Sequence, residues 1–266
     1  KWCRKVGCEP YICTNAGTGT PEEMSDWVEY CNLEKMGRFA RWRAENGYEE
    51  PHNVKFWSIG NENWGGGGSM RPEQYADEFR RFVTLMQNIS DKAEYFVCGS
   101  NAADYSWTHG VVPGLQQVKH CANGFAMHYY CGNAGDPVAF TNEEWDQLLR
   151  QANRMEEIIR RNWNIICAHD MQKHCKLVVD EWGCWHPEGS GPSHGYNLFE
   201  QQSTMRDAVV AALTLNIFNK HCDKVRMANV AQLVNNLHAL FLAGGEHCIV
   251  TPTYHVFDMY KEHQGA

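Results

Sequence analysis

An α/β fold with a parallel sheet is the class this sequence predicts, and three observations carry the prediction. Six short apolar runs recur along the 266 residues. Longer segments with apolar residues at helical spacing separate them. The runs end in polar groups: Asn15, Asn61-Glu62, Ser100-Asn101, His128 to Tyr130, Asp180-Glu181 and Asn229. Strands that alternate with helices need crossover connections, which makes them parallel. Parallel strands are buried on both faces, so polar groups at their ends must be paired or must line a cavity. A doubly wound sheet and a (β/α)8 barrel both fit this alternation, and both gather chemistry at the C-terminal ends of the strands.

The elements follow in order. Residues 9–15 (EPYICTN) read as the first strand. Residues 21–46 are helical, opened by Pro-Glu-Glu, with a break expected near Leu33. Residues 54–60 (VKFWSIG) form the second strand, and residues 71–89 a helix whose Tyr75, Phe79, Phe82, Val83 and Met86 share a core face. The third strand, 95–100, is followed by a loop and a short helix, and the fourth covers 124–130. A long, interrupted helix over 142–169 precedes the fifth strand at 176–182. A helix over 201–221, a sixth strand over 224–231 and a closing helix from Thr251 complete the chain. No linker or low-complexity segment stands out, so residues 1–266 read as one domain.

Composition bounds the partners. Lys+Arg number 24 against 32 Asp+Glu, a net charge of −8, which argues against nucleic acid or an anionic membrane as the main partner. No apolar run is long enough to span a bilayer. Twelve cysteines without a C-x-x-C pair exclude a zinc ribbon. With Cys98, Cys131 and Cys167 in apolar runs, they read as reduced thiols of a cytoplasmic protein. The chain opens on Lys1 with interior-like sequence, so the natural N-terminus is expected to lie upstream.

Two glutamates close two different strands: Glu62 after WSIGN and Glu181 after LVVD. Glycoside hydrolysis needs such a pair, one to protonate the departing oxygen and one to attack the anomeric carbon or activate water. A separation of roughly 5 Å gives retention and a larger gap inversion. On pattern alone, a cation site or structural ion pairs fit equally. The Gly65–Gly68 run lacks a following Gly-Lys-Ser/Thr and reads as a βα turn, not a phosphate loop. Strand alternation sends Asp180 the opposite way from Glu181, as a buried carboxylate or one that supports the site from behind. His128 fits a core or a pocket position. His186 and His194 read as solvated loop residues. A metal centre from His128, Glu181 and His186 has no recognisable ligand spacing, and no cofactor is implied.

The motifs WSIGNENWG, MHYYCGN, VVDEWGCW and RMANVAQLVNNL together resemble the α-L-arabinofuranosidases of glycoside hydrolase family 51, as does the opening GCEPYICTNAGTGTPEEMSDWVEYCN. The resemblance runs over nearly the whole chain. It implies a (β/α)8 TIM-barrel type fold, here incomplete: strands three to eight are present, and the first two strands and the accessory β-sandwich are missing. It implies a retaining glycoside hydrolase that releases terminal α-L-arabinofuranosyl residues from arabinan, arabinoxylan or oligosaccharides. It places Glu62 as general acid/base, Glu181 as nucleophile, Asn61 on the sugar 2-hydroxyl, Tyr130 on the nucleophile and Gln232 on the sugar. Trp182 and Trp185 would be aromatic walls of the pocket, and His128 is carried as a candidate substrate-binding residue. Burial near Trp57 or Trp64 would keep Glu62 protonated, and hydrogen bonds from Tyr130 and Asn61 would keep Glu181 ionised. Another clan member, an endo-β-glucanase or xylanase, and a non-catalytic carbohydrate-binding remnant are the alternatives. Self-association into a homo-oligomer is compatible with the sequence. The longer parent enzyme is expected to be active and this piece alone weak or inactive, because a six-stranded remnant leaves parallel edges uncovered.

Overall fold

A computed structural model describes residues 1–34, 36–187 and 199–265. Its elements are α1 (Trp2–Val6), β1 (Tyr11–Thr14), α2 (Pro21–Asn32), α3 (Arg38–Glu45), β2 (Phe56–Ile59), α4 (Pro72–Met86), β3 (Glu94–Asn101), α5 (Tyr105–Gly114) and β4 (Ala122–Gly132). Then come α6 (Asn142–Asn153), α7 (Met155–Ala168), β5 (Lys176–Trp185), α8 (Met205–Lys220), β6 (Val225–Val230), β7 (Phe241–Gly244), β8 (His247–Val250) and α9 (Pro252–Tyr260). The strand order in the main sheet is β1-β2-β3-β4-β5-β6, the succession of neighbours that a β/α barrel requires. The chain forms two compact units: residues 1–126 with 162–176, and residues 127–161 with 177–266.

In the first unit β1, β2 and β3 pair in parallel, with Tyr11 opposite Phe56 and Trp57 opposite Tyr95. Trp57, Ile59, Phe96 and Val97 are fully buried, as strands covered on both faces should be. The helical stripe read from the sequence on α4 is the buried one: Tyr75, Phe79, Phe82, Val83 and Met86. The expected break at Leu33 is real. Thr20 caps α2 through a capping box with Glu23. At the far end the buried Arg43 of α3 donates to the carbonyls of Tyr30 and Leu33, both at 2.8 Å, and so satisfies acceptors the ended helix leaves open.

In the second unit β5 pairs in parallel with β6. Helix α8 opens with Thr204 as cap and Asp207 closing the box, and it packs against α6 and α9. Its Arg206 is buried, donates to the Ala134 carbonyl at 2.7 Å, and lies 4.1 Å over the Phe140 ring. The β7–β8 hairpin forms a separate antiparallel pair that the sequence did not announce. Its two-residue turn at Gly245-Glu246, with Gly245 at φ +57°, was the readable signal. β8 is exposed along its whole length, so no burial alternation marks it.

Candidate active site

The first unit explains the sequence that follows β2. Tyr75 donates to the Ile59 carbonyl at 2.7 Å and accepts from the Cys98 N–H at 2.6 Å, which fixes the end of the strand. Gly60 then turns at φ +82°, where an added Cβ would lie 2.1 Å from the Asn63 side chain. Glu62 follows at φ +47°, a left-handed conformation that non-glycine residues rarely hold and that functional sites enrich. Its carbonyl accepts from Gly65 N–H at 2.7 Å and Gly67 N–H at 3.0 Å, so the glycine run wraps back over it. A Cβ on Gly67 would sit 1.8 Å from the Asn61 carbonyl. The run is a tight βα turn that presents a half-buried Glu62 at the C-terminal end of β2.

Two neighbours hold that turn. Buried Asn63 donates from Nδ2 to the Gly67 carbonyl at 2.8 Å, and Trp64 donates from Nε1 to the Gly99 carbonyl at 3.1 Å. Asn61 lines a small cleft of about 240 Å³ with Asn15, Gly17, Asn63 and Gly67. Trp57 does not flank this end. It is fully buried and meets Trp27 of α2 edge-on at 5.9 Å, so it belongs to the helix layer.

In the second unit the ends of β4 and β5 converge. Tyr130 donates its phenol O–H to Glu181 Oε2 at 2.7 Å. His128, 5% exposed, has Nε2 3.3 Å from Asp180 Oδ1 and Nδ1 3.5 Å from Glu181 Oε2. Asp180 is buried, as expected, and it and Glu181 reach the same imidazole from its two nitrogens although alternation sends strand neighbours opposite ways. Between Val179–Ala228 and Trp182–Val230, β5 spends one residue more than β6, which is a β-bulge at Asp180-Glu181. The bulge brings both carboxylates to the same imidazole. His128 is thereby buried and engaged with charged partners.

The bulge also sets Trp182. This ring is 1% exposed and packs against Phe218 of α8 and Phe257 of α9, with centroids at 5.3 and 6.0 Å. The expectation of Trp182 as a pocket wall is thus corrected: it is core. Trp185 remains at the surface, 36% exposed, with its ring edge-on to Tyr130 at 5.1 Å and Phe199 at 5.2 Å. Gln232 is exposed just after β6, where its N–H donates to the Asn236 carbonyl at 3.2 Å.

His186 is a second correction. It is 2% exposed, not solvated, and its Nε2 lies 2.7 Å from Asp207 Oδ1. Gln201 completes the cluster, accepting from His186 N–H and donating to the Cys184 carbonyl, both at 2.9 Å. His194 lies outside the described residues. Cys184, His186 and Asp207 each offer a metal-ligand atom, all within 4.8 Å of one another. The Asp207 oxygens are already used: Oδ1 by His186, and Oδ2 by the N–H and hydroxyl of Thr204 at 2.6 and 3.1 Å. The group is a structural lock beneath the end of β5. The sequence signal for it was the Thr204-x-x-Asp207 cap, which marks a helix start but not the histidine it meets.

Burial opposes ionisation of Asp207, but the hydrogen bond from His186, the His238 and His186 charges and the Thr204 N–H outweigh it, so the pKa falls to about 2. An unfolded aspartate titrates near 3.9. A depressed carboxylate contributes stability that is full above the unfolded value and is lost as pH falls through the folded one. The stability gap between wild type and Asp207→Asn is therefore expected to shrink by about 2 kcal/mol from pH 6 to pH 2. Urea unfolding of both proteins across that range measures it, and a constant gap would refute the pairing.

Comparison with known proteins gives a consistent result. The sequence pattern of the "Alpha-L-arabinofuranosidase 1 domain" matches residues 1–154, and that of the "Alpha-L-arabinofuranosidase C-terminal domain" matches residues 180–266. An intracellular exo-alpha-L-arabinofuranosidase of Bacteroides ovatus is 37% identical over 99% of this chain and 52% of its own length. The crystal structure of the GH51 arabinofuranosidase from Xanthomonas axonopodis pv. citri superposes with a TM-score of 0.91 at 37% identity, covering 98% of this chain and 53% of that one. The arabinose complex of the alpha-L-arabinofuranosidase from Thermotoga maritima superposes with a TM-score of 0.82 at 27% identity, covering 98% and 51%. The chain spans about half the length of the curated relatives it matches.

Proposed function

Because the chain belongs to the α-L-arabinofuranosidases of glycoside hydrolase family 51, we propose that it is catalytic barrel sequence of a retaining, exo-acting α-L-arabinofuranosidase. Residues 1–266 are read as one catalytic domain. Glu181 is the nucleophile and Glu62 the general acid/base. In the first step a Glu181 oxygen attacks the anomeric carbon, the glycosidic C–O bond breaks, and the Glu62 proton passes to the leaving oxygen. In the second step Glu62, now ionised, takes a proton from water. The water oxygen attacks the same carbon, and Glu181 departs as a carboxylate.

The observation that carries this reading is the 2.7 Å hydrogen bond from Tyr130 to Glu181 Oε2. A phenol O–H that donates to a carboxylate favours the anion an attacking group must be. Asn61 is assigned to the sugar 2-hydroxyl, Gln232 to the sugar, and Trp185 to an aromatic wall beside Tyr130. His128 is assigned to positioning, between Asp180 and Glu181. The glycans proposed as substrates are arabinan, arabinoxylan and their oligosaccharides. A reducing, cytoplasmic site of action is supported by the twelve free thiols and by the intracellular relative. Among the described residues no helix is long and apolar enough to cross a membrane.

The test is the anomer first released by the natural full-length protein from 4-nitrophenyl α-L-arabinofuranoside, followed by proton NMR. The α anomer supports double displacement, and the β anomer overturns it. Cleavage of xylan or glucan chains without release of arabinose would favour the endo-acting clan members instead. Tyr130→Phe removes one hydrogen bond to a charged group and is expected to lower kcat/KM about 10- to 100-fold. Its acidic limb should move to higher pH, because the anion of Glu181 loses a donor. A pH profile that only scales down, with no shift, would contradict the role of Tyr130.

A further inference from the structure

We propose that Gln201 is a positioning residue for the sugar-binding wall: its side-chain amide takes the place of a strand neighbour opposite Trp185 and so holds that ring against Tyr130. β5 outruns β6. It continues to Trp185, but its pairing with β6 ends where Trp182 meets Val230, with the Ala231 N–H on the Trp182 carbonyl at 3.0 Å. Cys184 and His186 lie beyond that rung and are buried, so their backbone groups need other partners.

Two side chains supply them. The Cys184 N–H donates to His238 Nδ1 at 3.0 Å. The Cys184 carbonyl accepts from Gln201 Nε2, and the His186 N–H donates to Gln201 Oε1, both at 2.9 Å. In a parallel ladder, a residue on the neighbouring strand donates to the carbonyl before its opposite number and accepts from the N–H after it. The Gln201 amide makes that same pair of bonds around Trp185. The groups beside it are tied down in turn. His186 Nε2 meets Asp207 Oδ1 at 2.7 Å, and Asp207 Oδ2 accepts from Thr204 at the start of α8. His238 Nε2 meets the Thr253 hydroxyl at 2.9 Å, at the start of α9.

The consequence falls on Trp185. Its ring lies edge-on to Tyr130 at 5.1 Å and 81°, and Tyr130 donates to Glu181. A strand end without ladder bonds frays, and the ring it carries moves with it. Gln201 is itself buried, so removing its amide leaves a donor and an acceptor unmet in the interior, which costs more than losing bonds at the surface. The inference rests on the proposed role of Trp185 as a wall of the arabinofuranosyl site, and it adds the residue that sets that wall.

The test is Gln201→Met in the natural full-length protein, a change that keeps the side chain's length and removes both hydrogen bonds. KM for 4-nitrophenyl α-L-arabinofuranoside is expected to rise about tenfold with kcat within about threefold, as when a contact shared by bound substrate and transition state is lost. In protein labelled with 5-fluorotryptophan, the fluorine resonance of Trp185, identified by its loss in Trp185→Phe, should shift or broaden in Gln201→Met. In a Trp185→Ala background the same change should alter KM by less than about twofold, because it acts through the ring. Gln201→Glu keeps the acceptor and loses the donor. It should move KM and the resonance in the same directions, and it decides the question if Gln201→Met does not fold. A lower melting temperature with KM and the Trp185 resonance unchanged would make Gln201 a structural residue only and overturn the proposal. A moved resonance with KM unchanged would overturn it too, as would equal effects of Gln201→Met with and without the Trp185 ring. Failure of aryl hydrolysis in the wild type would instead count against the catalytic reading, and the fluorine spectra would still decide whether Gln201 holds the ring.

Discussion

Glu181→Gln is expected to lower kcat on the order of 10⁴-fold for every arabinofuranoside, aryl and oligosaccharide alike, because no bond to the anomeric carbon can then form by the normal route. The loss should not depend on the leaving group. The fold should survive the change: the side chain is 29% exposed, and an amide still accepts from Tyr130. Azide should restore part of the turnover in Glu181→Ala, giving the β-arabinofuranosyl azide by a single displacement from the opposite face. An isosteric variant that keeps more than a tenth of wild-type kcat would remove Glu181 from the role. A rescued product of α configuration would do the same.

That expectation can be traced to the sequence only in part. The strand ends were legible because parallel strands hide both faces, so a carboxylate closing LVVD was conspicuous. Tyr130 followed from the resemblance, and its phenol does meet Glu181. What the sequence could not carry was the bulge in β5. Alternation assigns every second residue to one face. One inserted residue breaks that rule at Asp180-Glu181, bringing Asp180 beside His128 and leaving Trp182 in the helix layer. A bulge is a matter of pairing between two strands, and one strand's sequence does not record its partner's count.

The same limit applies to the lock beneath β5. His186 sits in a Gly/Pro/Ser-rich stretch that reads as surface, and only the meeting with Asp207 from the start of α8 buries it. Local signals fared better. The break at Leu33 and the α4 stripe depend on residues within a turn or two, and both are present. Elements that rest on near neighbours were readable, whereas side chains paired across long stretches of sequence were not.

Glu62→Gln should separate two steps that Glu181→Gln cannot. Without a proton donor, departure of an alkoxide suffers most, so kcat/KM for arabino-oligosaccharides is expected to fall roughly 10²–10⁴-fold. A 4-nitrophenolate leaves unaided, so kcat/KM for the aryl substrate should stay within about tenfold of wild type. Its kcat should fall further than its kcat/KM, since water then lacks a base and the glycosyl-enzyme accumulates. Azide needs no base. It should raise kcat and yield the α azide, the opposite configuration from the Glu181→Ala rescue. The basic limb of the pH profile, which reports loss of the donor proton, should vanish. The substitution leaves the backbone that frames it untouched: the φ of +47° and the hydrogen bonds from Gly65 and Gly67 to the Glu62 carbonyl do not involve the side chain. A loss of kcat/KM equal for both substrate types would therefore point to a binding or structural role and would end the acid/base assignment.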